Sequence, residues 1–521
     1  MRFVRIFVGA LIGLAVMEVF AQNEPQAAAR LPSATPATTN LFTTNSVQST
    51  NLFAITNGTP RSVGLMESIR LALTNNFDVR IEGFNPQLAR EDIEAAKGAY
   101  DPVISAGGDR THAKDARGVY ADEDSVRVGL NGSLPTGTAY NLGLNAAEFL
   151  TTTNSAGFSR RSTGKATVAS VTQPLLRNFW MNPTRYNIAI SRKQLKVSEL
   201  AFRFRVLQIV SSVEQAYFEW IAARENVKVQ EEAVSLARVA ANEASQKSTI
   251  GVLTPLDQQK FESQAATSEA ALLTARRNLR EAEITLVNLI TTQYESWKGM
   301  ALEPADALPT QPREFDMQTS WTQAFAHRPD LHELIVNLEK LGLTEKLNYN
   351  QIFPTLNLTG AYGYDASGGS YGRSFGQLGD MNRPFWSLGI DASIPIGNRT
   401  ARANLRATRL EKDQANERLK QARQTIMTQV ENAIADARTA WERIAQTQKA
   451  REYAAAALAA EQTRFSAGAV KSFDVLQAQR DLTAARSDEI RTLVDYNKAV
   501  TVLLEREGTL LDERGLTVNI Q

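Results

Sequence analysis

VLQIVSSVEQAYFEW, residues 206–220, sets Val206, Val210, Val213, Tyr217 and Trp220 four and three residues apart in alternation. IMTQVENAIADARTAWERI, residues 426–444, does the same with Ile426, Val430, Ala433, Ala437, Ala440 and Ile444. An apolar repeat of about 3.5 residues marks helices that pack as left-handed coiled coils. Both stretches lie inside long runs free of glycine and proline, Thr184–Ile250 and Asn398–Ala467. At about 1.5 Å per residue each run could form a helix of roughly 100 Å, far longer than an ordinary globular helix. Gly251 and Gly468 close these runs, and shorter breaker-free runs follow, Leu256–Lys298 and Ala469–Glu507. Each long helix is therefore expected to turn back on itself as an antiparallel hairpin. Asn182-Pro183 and Thr254-Pro255 supply an N-cap followed by proline in the first turn; Ser472 is the expected cap in the second hairpin. Ala454–Ala457, Ala459 and Ala460 either line a close helix seam or simply reflect the high helix propensity of alanine.

The chain reads twice. At an offset of 217, Val213-Glu214-Gln215-Ala216 falls on Val430-Glu431-Asn432-Ala433, Gly251 on Gly468 and Asp257 on Asp474. At 252, Phe77-Asp78-Val79 falls on Pro329-Asp330-Leu331 and Pro102 on Pro354. At 221, Gln173-Pro174 falls on Ile394-Pro395. Four matches in one order imply two structural repeats. The first is expected over 61–300, with strands in 102–174 and a hairpin in 182–298. The second is expected over 314–512, with strands in 354–396 and a hairpin in 398–511.

The strand regions alternate with period two. Leu356, Leu358, Tyr362 and Tyr364 share one face, against Asn357, Thr359, Ala361 and Gly363. Trp386, Leu388, Ile390, Ala392 and Ile394 alternate with Ser387, Gly389, Asp391 and Ser393. Nine to eleven residues of such alternation suffice to cross a thin bilayer at a tilt. A small soluble sheet with one buried face is the competing reading. Phe179, Trp180, Phe385 and Trp386 are expected near strand ends as an interfacial girdle. Strands in lipid cannot leave edges open, and so few strands close no barrel alone. The wall is expected to be shared between chains. Val126, Val128 and Leu130, then Leu134-Pro135-Thr136-Gly137-Thr138, then Tyr140, Leu142 and Leu144 read as an additional hairpin.

Composition narrows the function. Lys plus Arg is 57 and Asp plus Glu is 56, a formal net charge of +1. That balance lacks the basic excess of a nucleic-acid binder. The chain has no cysteine, which excludes disulfides and thiolate chemistry, and only His112, His327 and His332 as histidines. No catalytic triad order, phosphate loop or metal signature stands out, so neither an enzyme nor a cofactor is expected. Arg2 and Arg5 precede an apolar stretch that ends at Val19-Phe20-Ala21, expected to be an export signal over 1–21 rather than a short membrane anchor. Residues 22–60, rich in Thr, Ser, Asn, Pro and Ala, are expected to be a disordered lead-in. Residues 513–521 form a C-terminal tail. Beyond the N-terminus no run of 18 or more apolar residues occurs, which argues against membrane-spanning helices.

Arg464-Phe465-Ser466-Ala467-Gly468, five further residues, then Asp474-Val475-Leu476-Gln477-Ala478-Gln479 resembles the coiled-coil tip and return helix of the TolC-type outer membrane efflux channels. Lys247-Ser248-Thr249-Ile250-Gly251 through Asp257 is the first-half copy, and Val213-Glu214-Gln215-Ala216-Tyr217 is similar to the family's mid-helix signature. The resemblance covers about 61–512. It implies an α+β membrane protein, a trimeric TolC-like α/β-barrel. In this arrangement transmembrane strands are shared between chains, and long antiparallel helical hairpins extend into the periplasm. The implied partners are two further copies of the chain, outer membrane lipid, a periplasmic adaptor and an inner-membrane pump of the RND, ABC or MFS class. The implied role is a passive duct of a tripartite efflux or type I secretion system; a periplasmic adaptor or structural coiled-coil protein is the alternative. Family members hold two strands between the positions of Pro102 and Pro174. The extra hairpin here would raise the count from four strands per chain to six, or stand outside the wall as an extracellular excursion.

By the same resemblance Asp474 lines a periplasmic gate, with Gln477 one turn on where a second acid is usual. An acid in the first turn of a helix is also favoured by the dipole alone. Asp257 is expected to hold the tip closed by hydrogen bonding to a neighbouring hairpin. Phe465 replaces the usual tyrosine and lacks its hydroxyl. Gly251, Val252, Leu253, Gly468, Ala469 and Val470 are the implied adaptor-docking residues, the glycines at positive φ.

Overall fold

The computed structural model describes residues 61–114, 120–153, 157–297, 302–467 and 469–517. The expected export signal, the lead-in, Gly468 and the end of the tail lie outside the described residues. The first half runs β1 (Arg61–Val63), α1 (Leu65–Asn75), α2 (Phe77–Glu82), α3 (Phe84–Lys97), then β2 (Val103–Lys114), β3 (Tyr120–Ser133), β4 (Ala139–Thr153) and β5 (Gly157–Pro174). A long helix α4 (Pro183–Thr249) and its return α5 (Pro255–Ile290) follow, then α6 (Tyr294–Trp297) and β6 (Leu302–Pro304). The second half runs α7 (Met317–His327), α8 (Pro329–Asn350), β7 (Thr355–Gly368), α9 (Tyr371–Asp380), β8 (Pro384–Ser393), α10 (Arg399–Ser466), α11 (Ser472–Glu507) and α12 (Leu510–Glu513). Short helices, strands and a helical hairpin thus recur in order, and among the described residues the first copy gives four strands to the six-stranded sheet and the second gives two. The chain divides into a strand-bearing unit, 89–195 with 337–415, and a helical unit, mainly 196–336 with 416–521.

The helix starts follow local chemistry. Asn182 Oδ1 accepts from Arg185 N at 2.8 Å ahead of Pro183, and Thr254 Oγ1 accepts from Asp257 N at 3.2 Å. The second hairpin departs from expectation. Lys471, not Ser472, is the capping position of α11, and its backbone N–H donates to Asp474 Oδ2 at 3.1 Å. Helix α5 also stops short of Lys298. Asn75 and Asn76 donate their side-chain amides to Ile290 O at 3.3 Å and Leu289 O at 3.0 Å, so the exposed end carbonyls are satisfied from distant residues.

In the helical unit Val206, Val210, Val213, Tyr217 and Trp220 are all 0% exposed and face one core with Leu286, Ile290 and Leu504. Ile426, Val430, Ala433 and Ile434 form a second core with Ala324, Leu331 and Leu503; Ile444, at the end of its stripe, is half-buried. Of the alanine run only Ala454 packs on the hairpin core within the protomer. Ala455, Ala456, Ala457, Ala459 and Ala460 are exposed, and Leu458 instead packs on Val475, Ala478 and Leu482. Burial pushes the Tyr217 phenol above its ordinary pKa, and its hydrogen bond to Asp306 adds to the rise.

The repeated glutamates have diverged. Glu431 is exposed, whereas Glu214 is fully buried. Glu214 accepts from Arg514 Nε at 2.6 Å, Arg514 Nη2 at 3.0 Å and Thr501 Oγ1 at 2.9 Å. That pairing ties the segment after α12 back to α4.

In the strand-bearing unit one antiparallel sheet has the order β2-β3-β4-β5-β7-β8. The expected additional hairpin is β3 and β4, joined by the turn at 134–138, and it lies inside this sheet. The register puts Val128 beside Leu144, Leu144 beside Ala166, Ala166 beside Tyr364, and Tyr362 beside Trp386. Over these rows one face is therefore apolar, and the same face carries Arg110, His112, Asp122 and Asp124 further from the 134–138 turn. Asn131, Asn141, Ser170, Ala361 and Ser387 fall in one row of the other, polar face. Strand β7 has 14 residues, longer than its apolar alternation, because Ala366 and Gly368 continue past it under the amphipathic helix α9. The four aromatics sit near strand ends, at two opposite ends of the sheet. Phe385 stacks over Gly363 on the polar face, Trp386 points from the apolar face, and Phe179 and Trp180 lie in the β5–α4 turn at the opposite end of the sheet.

Replacing Glu214 by Ala strips a partly buried Arg514 of its carboxylate. Loss of one partner of a buried pair costs about 3–5 kcal/mol. The helical circular-dichroism signal should melt several degrees earlier in Glu214→Ala, with a smaller drop in Glu214→Gln, which keeps an acceptor for Thr501.

Candidate functional site

The two helical turns form the candidate site. In the first, Val252 N donates to Lys247 O at 2.8 Å and Gly251 takes φ +80°. A β-carbon on Gly251 would meet nothing within 4 Å, so backbone conformation and not space calls for glycine there. Val252 is 68% exposed and its neighbour Ile250 is 73% exposed, whereas Leu253 turns inward against Ala244, Phe261 and Leu476. In the second turn Ala469 N donates to Arg464 O at 2.9 Å. Ala469 is exposed and Val470 half-buried. Ile250, Leu256, Tyr453 and Phe473 are exposed apolar residues around the turns that sequence reasoning passed over. They stand off the core-facing stripe, and that offset was the available signal.

The expected gate residues separate into two places. Asp474 and Gln477 line one cleft of about 690 Å3 with Tyr453, Glu461, Phe473 and Asp481. Asp474 caps its own helix there, and Gln477 Nε2 donates to Asp481 Oδ1 at 2.8 Å. Asp257 lies in the contact between the two hairpins. Its Oδ1 accepts from Ser472 Oγ at 2.8 Å and from Lys260 Nζ at 3.1 Å, and its Oδ2 from Thr254 Oγ1 at 2.8 Å. These donors, Thr254 foremost, then Ser472 and Lys260, hold its carboxyl below the usual pKa. Hydrogen bonding to the ionised form is the physical cause.

Phe465 joins the same contact by apolar means. Its ring sits 5.9 Å from that of Phe261 at 56°, and Lys247 Nζ lies 5.6 Å above it. Further along, Arg480 Nε donates to Gln264 Oε1 at 2.9 Å, Arg486 pairs with Glu232 at 2.5 Å and Arg491 with Glu219 at 2.9 Å. Burial raises the pKa of Glu219, but Lys498 and Arg491 outweigh it and hold the carboxyl low. Helix α11 is thus bonded along its length to the first hairpin. His327 and His332, at the surface, contact Asp512 and Ala326 O respectively.

A one-faced apolar sheet joined to paired helical hairpins defines a class of outer membrane channel. The outer membrane efflux protein family matches residues 68–292 and again 321–505, and the chain belongs to that family. It is an outer membrane efflux channel and not an enzyme. Among relatives, outer membrane efflux protein BepC of Brucella suis is 25% identical over 348 residues, covering 64% of this chain and 71% of that one. The probable efflux pump outer membrane protein TtgC of Pseudomonas putida is 22% identical over 430 residues, 81% of this chain and 78% of that one. The CmeC outer membrane channel of Campylobacter jejuni superposes with a TM-score of 0.64 at 16% identity, covering 94% of each chain, which supports the fold. VceC of Vibrio cholerae gives 0.63 at 16% identity over 86% of this chain and 96% of that one.

The lowered pKa of Asp257 fixes a sign. Stability from a depressed carboxyl is present above its unfolded value and lost as pH falls through the folded one. Spin labels on Val252 and Ala469 should report one sharp distance from pH 8 down to about 5, broadening only below about 4, near the ordinary carboxylate value. Asp257→Ala should give the broad distribution throughout; a sharp distance in that variant would remove the carboxylate from the contact.

Proposed function

We propose that three copies of this chain form a passive duct across the outer membrane, with the helical hairpins in the periplasm. It would serve a tripartite efflux or type I secretion system. The observation that supports this best is the sheet itself, apolar on one face, polar on the other and too narrow to close alone. A periplasmic adaptor meets the turn residues Gly251, Val252, Leu253, Gly468, Ala469 and Val470. An inner-membrane pump of the RND, ABC or MFS class drives transport, because the duct has no energy source of its own. The two repeats correspond to 61–300 and 314–512.

Asp474 and Gln477 form the periplasmic gate. Around a threefold axis Asp474 would present three carboxylates, which attract cations and oppose anions. The usual second acid is Gln477 here, so the ring carries less charge than its relatives. Asp257 acts differently, as a latch that keeps neighbouring hairpins together through Ser472. Phe465 supplies by ring contact what a tyrosine hydroxyl would supply by hydrogen bonding.

Two P. putida relatives are named for antibiotic and toluene efflux, which makes a panel of antibiotics and aromatic solvents the first substrate screen. A strain lacking this chain should lose resistance to at least one member. Val252→Asp should reproduce the loss while the oligomer stays in the outer membrane. In planar bilayers Asp474→Ala should weaken block by divalent cations several-fold, and Ser472→Ala should raise conductance. Removing one hydrogen bond is worth about 1 kcal/mol per protomer. Identical cation block in Asp474→Ala would end its assignment to the gate.

A further inference from the structure

We propose that the wall of this channel is built from six strands per chain and closes through β8 of one protomer against β2 of the next. The inference rests on the trimer reading above, and it gives about eighteen strands in place of the twelve that four per chain would give.

The hairpin of β3 and β4 decides the matter. Its turn lies at the end of the sheet where α4 begins. Asn182 Nδ2 donates to Pro135 O at 2.9 Å, and Trp180 N donates to Thr136 O at 3.3 Å. Gly137, at φ +88°, has no room for a β-carbon, which would approach Asn178 O to 2.5 Å. A hairpin whose turn is fastened beside the helix entrance cannot be an excursion on the far side of the membrane. Both of its strands must cross the apolar band. The far end is fastened as well, since Tyr371 of α9 donates its hydroxyl to Asp124 O of β3. Leu378 of the same helix packs on Leu144, Ala166 and Ala366 of β4, β5 and β7.

The two sheet edges suit one another. Among the described residues β2 pairs with β3 alone and β8 with β7 alone. Six antiparallel strands leave β8 running opposite to β2, so the seam continues the same antiparallel pattern. The apolar face reaches both edges near the helix-entrance end of β2, where Ile104 and Ala106 precede Arg110 and His112 on that face. Trp386, Leu388 and Ile390 of β8 are 77%, 71% and 68% exposed, and Ile104 of β2 is 77% exposed. Backbone groups on such edges have no water partner in hydrocarbon and must find another strand. The stagger also fits closure. The row through Val103, the first residue of β2, passes Asn131, Asn141, Ser170 and Ala361 to Ser387, six residues before the end of β8 at Ser393. With about 3.3 Å per residue and about 4.8 Å between strands, this is a tilt of about 40°. Closed barrels use such tilts, and their diameter grows roughly linearly with strand number, so this wall would be about half again as wide as a twelve-stranded one.

The absence of native cysteine makes the test direct. Ser387→Cys is combined in turn with Ser105→Cys, Gly107→Cys and Asp109→Cys, all on the polar face, in the full chain in outer membranes. The expected result is a covalent trimer on oxidation in at least one pair. As a comparison, Ser387→Cys is combined with Asn141→Cys or Asn145→Cys of β4. A wall made only of β4, β5, β7 and β8 would put β4 at the seam and link those pairs between chains. That result, or a purified trimer in which no β2 pair links, overturns the six-strand wall and leaves the trimer standing. A monodisperse monomer in detergent with no interchain product overturns the trimer reading itself. Counting wall strands in a cryo-EM map of the unmodified protein tests the same point without substitution: eighteen supports the inference and twelve overturns it.

Discussion

A strand in hydrocarbon must find every backbone partner in another strand, because no water is there to supply one. That demand organises the strand-bearing unit. It explains why strands that alternate so regularly on one face occur six abreast, and why the sheet carries a stagger built in by its register. It also explains the sparing use of side-chain chemistry on the apolar face. Polar pairs such as Asn131 with Asn141 lie on the opposite side, and on the apolar face the pairs Arg110 with Asp124 and His112 with Asp122 come only beyond the rows of Val126, Val128 and Leu130, at the end of the sheet away from the 134–138 turn.

The helical unit solves a different problem. Its helices are too long to be stabilised from their ends, so stability is spread along stripes and ladders. The first stripe is tightly sealed around Tyr217 and Trp220, and the second is thinner and built on alanine. Hydrogen bonds and ion pairs from α11 to the first hairpin recur along its length. At the turns the contact includes a hydroxyl to a carboxylate, a pair of rings, an ammonium over a ring and the packing of Leu476 on Ala244, Phe261 and Leu253.

Much of this was legible in the residues. The 3.5-residue stripe, the turn at Gly251 and the period-two strands each follow from a local pattern. The extra hairpin was readable as well, from Leu134-Pro135-Thr136-Gly137-Thr138 between two alternating stretches. Other features escaped. Ser472 looked like a cap because it precedes a helix, yet its hydroxyl is spent on Asp257, 215 residues away. The end of α5 carries no breaker, because Asn75 and Asn76 terminate it from a distant helix. The alanine run allowed either a seam or simple helix propensity; in the protomer Ala454 packs inward while Ala455, Ala456, Ala457, Ala459 and Ala460 face outward.

By itself the sequence determined periodicity, and periodicity is a property of neighbours along the chain: which residues share a stripe, where a helix can begin, and which strands have one apolar face. Tertiary structure decided what those surfaces meet. The buried Glu214 and the exposed Glu431 stand in the same local motif, and only Arg514 arriving from the end of the chain distinguishes them. Burial and charge pairing depend on residues hundreds of positions apart, and no local pattern carries that information.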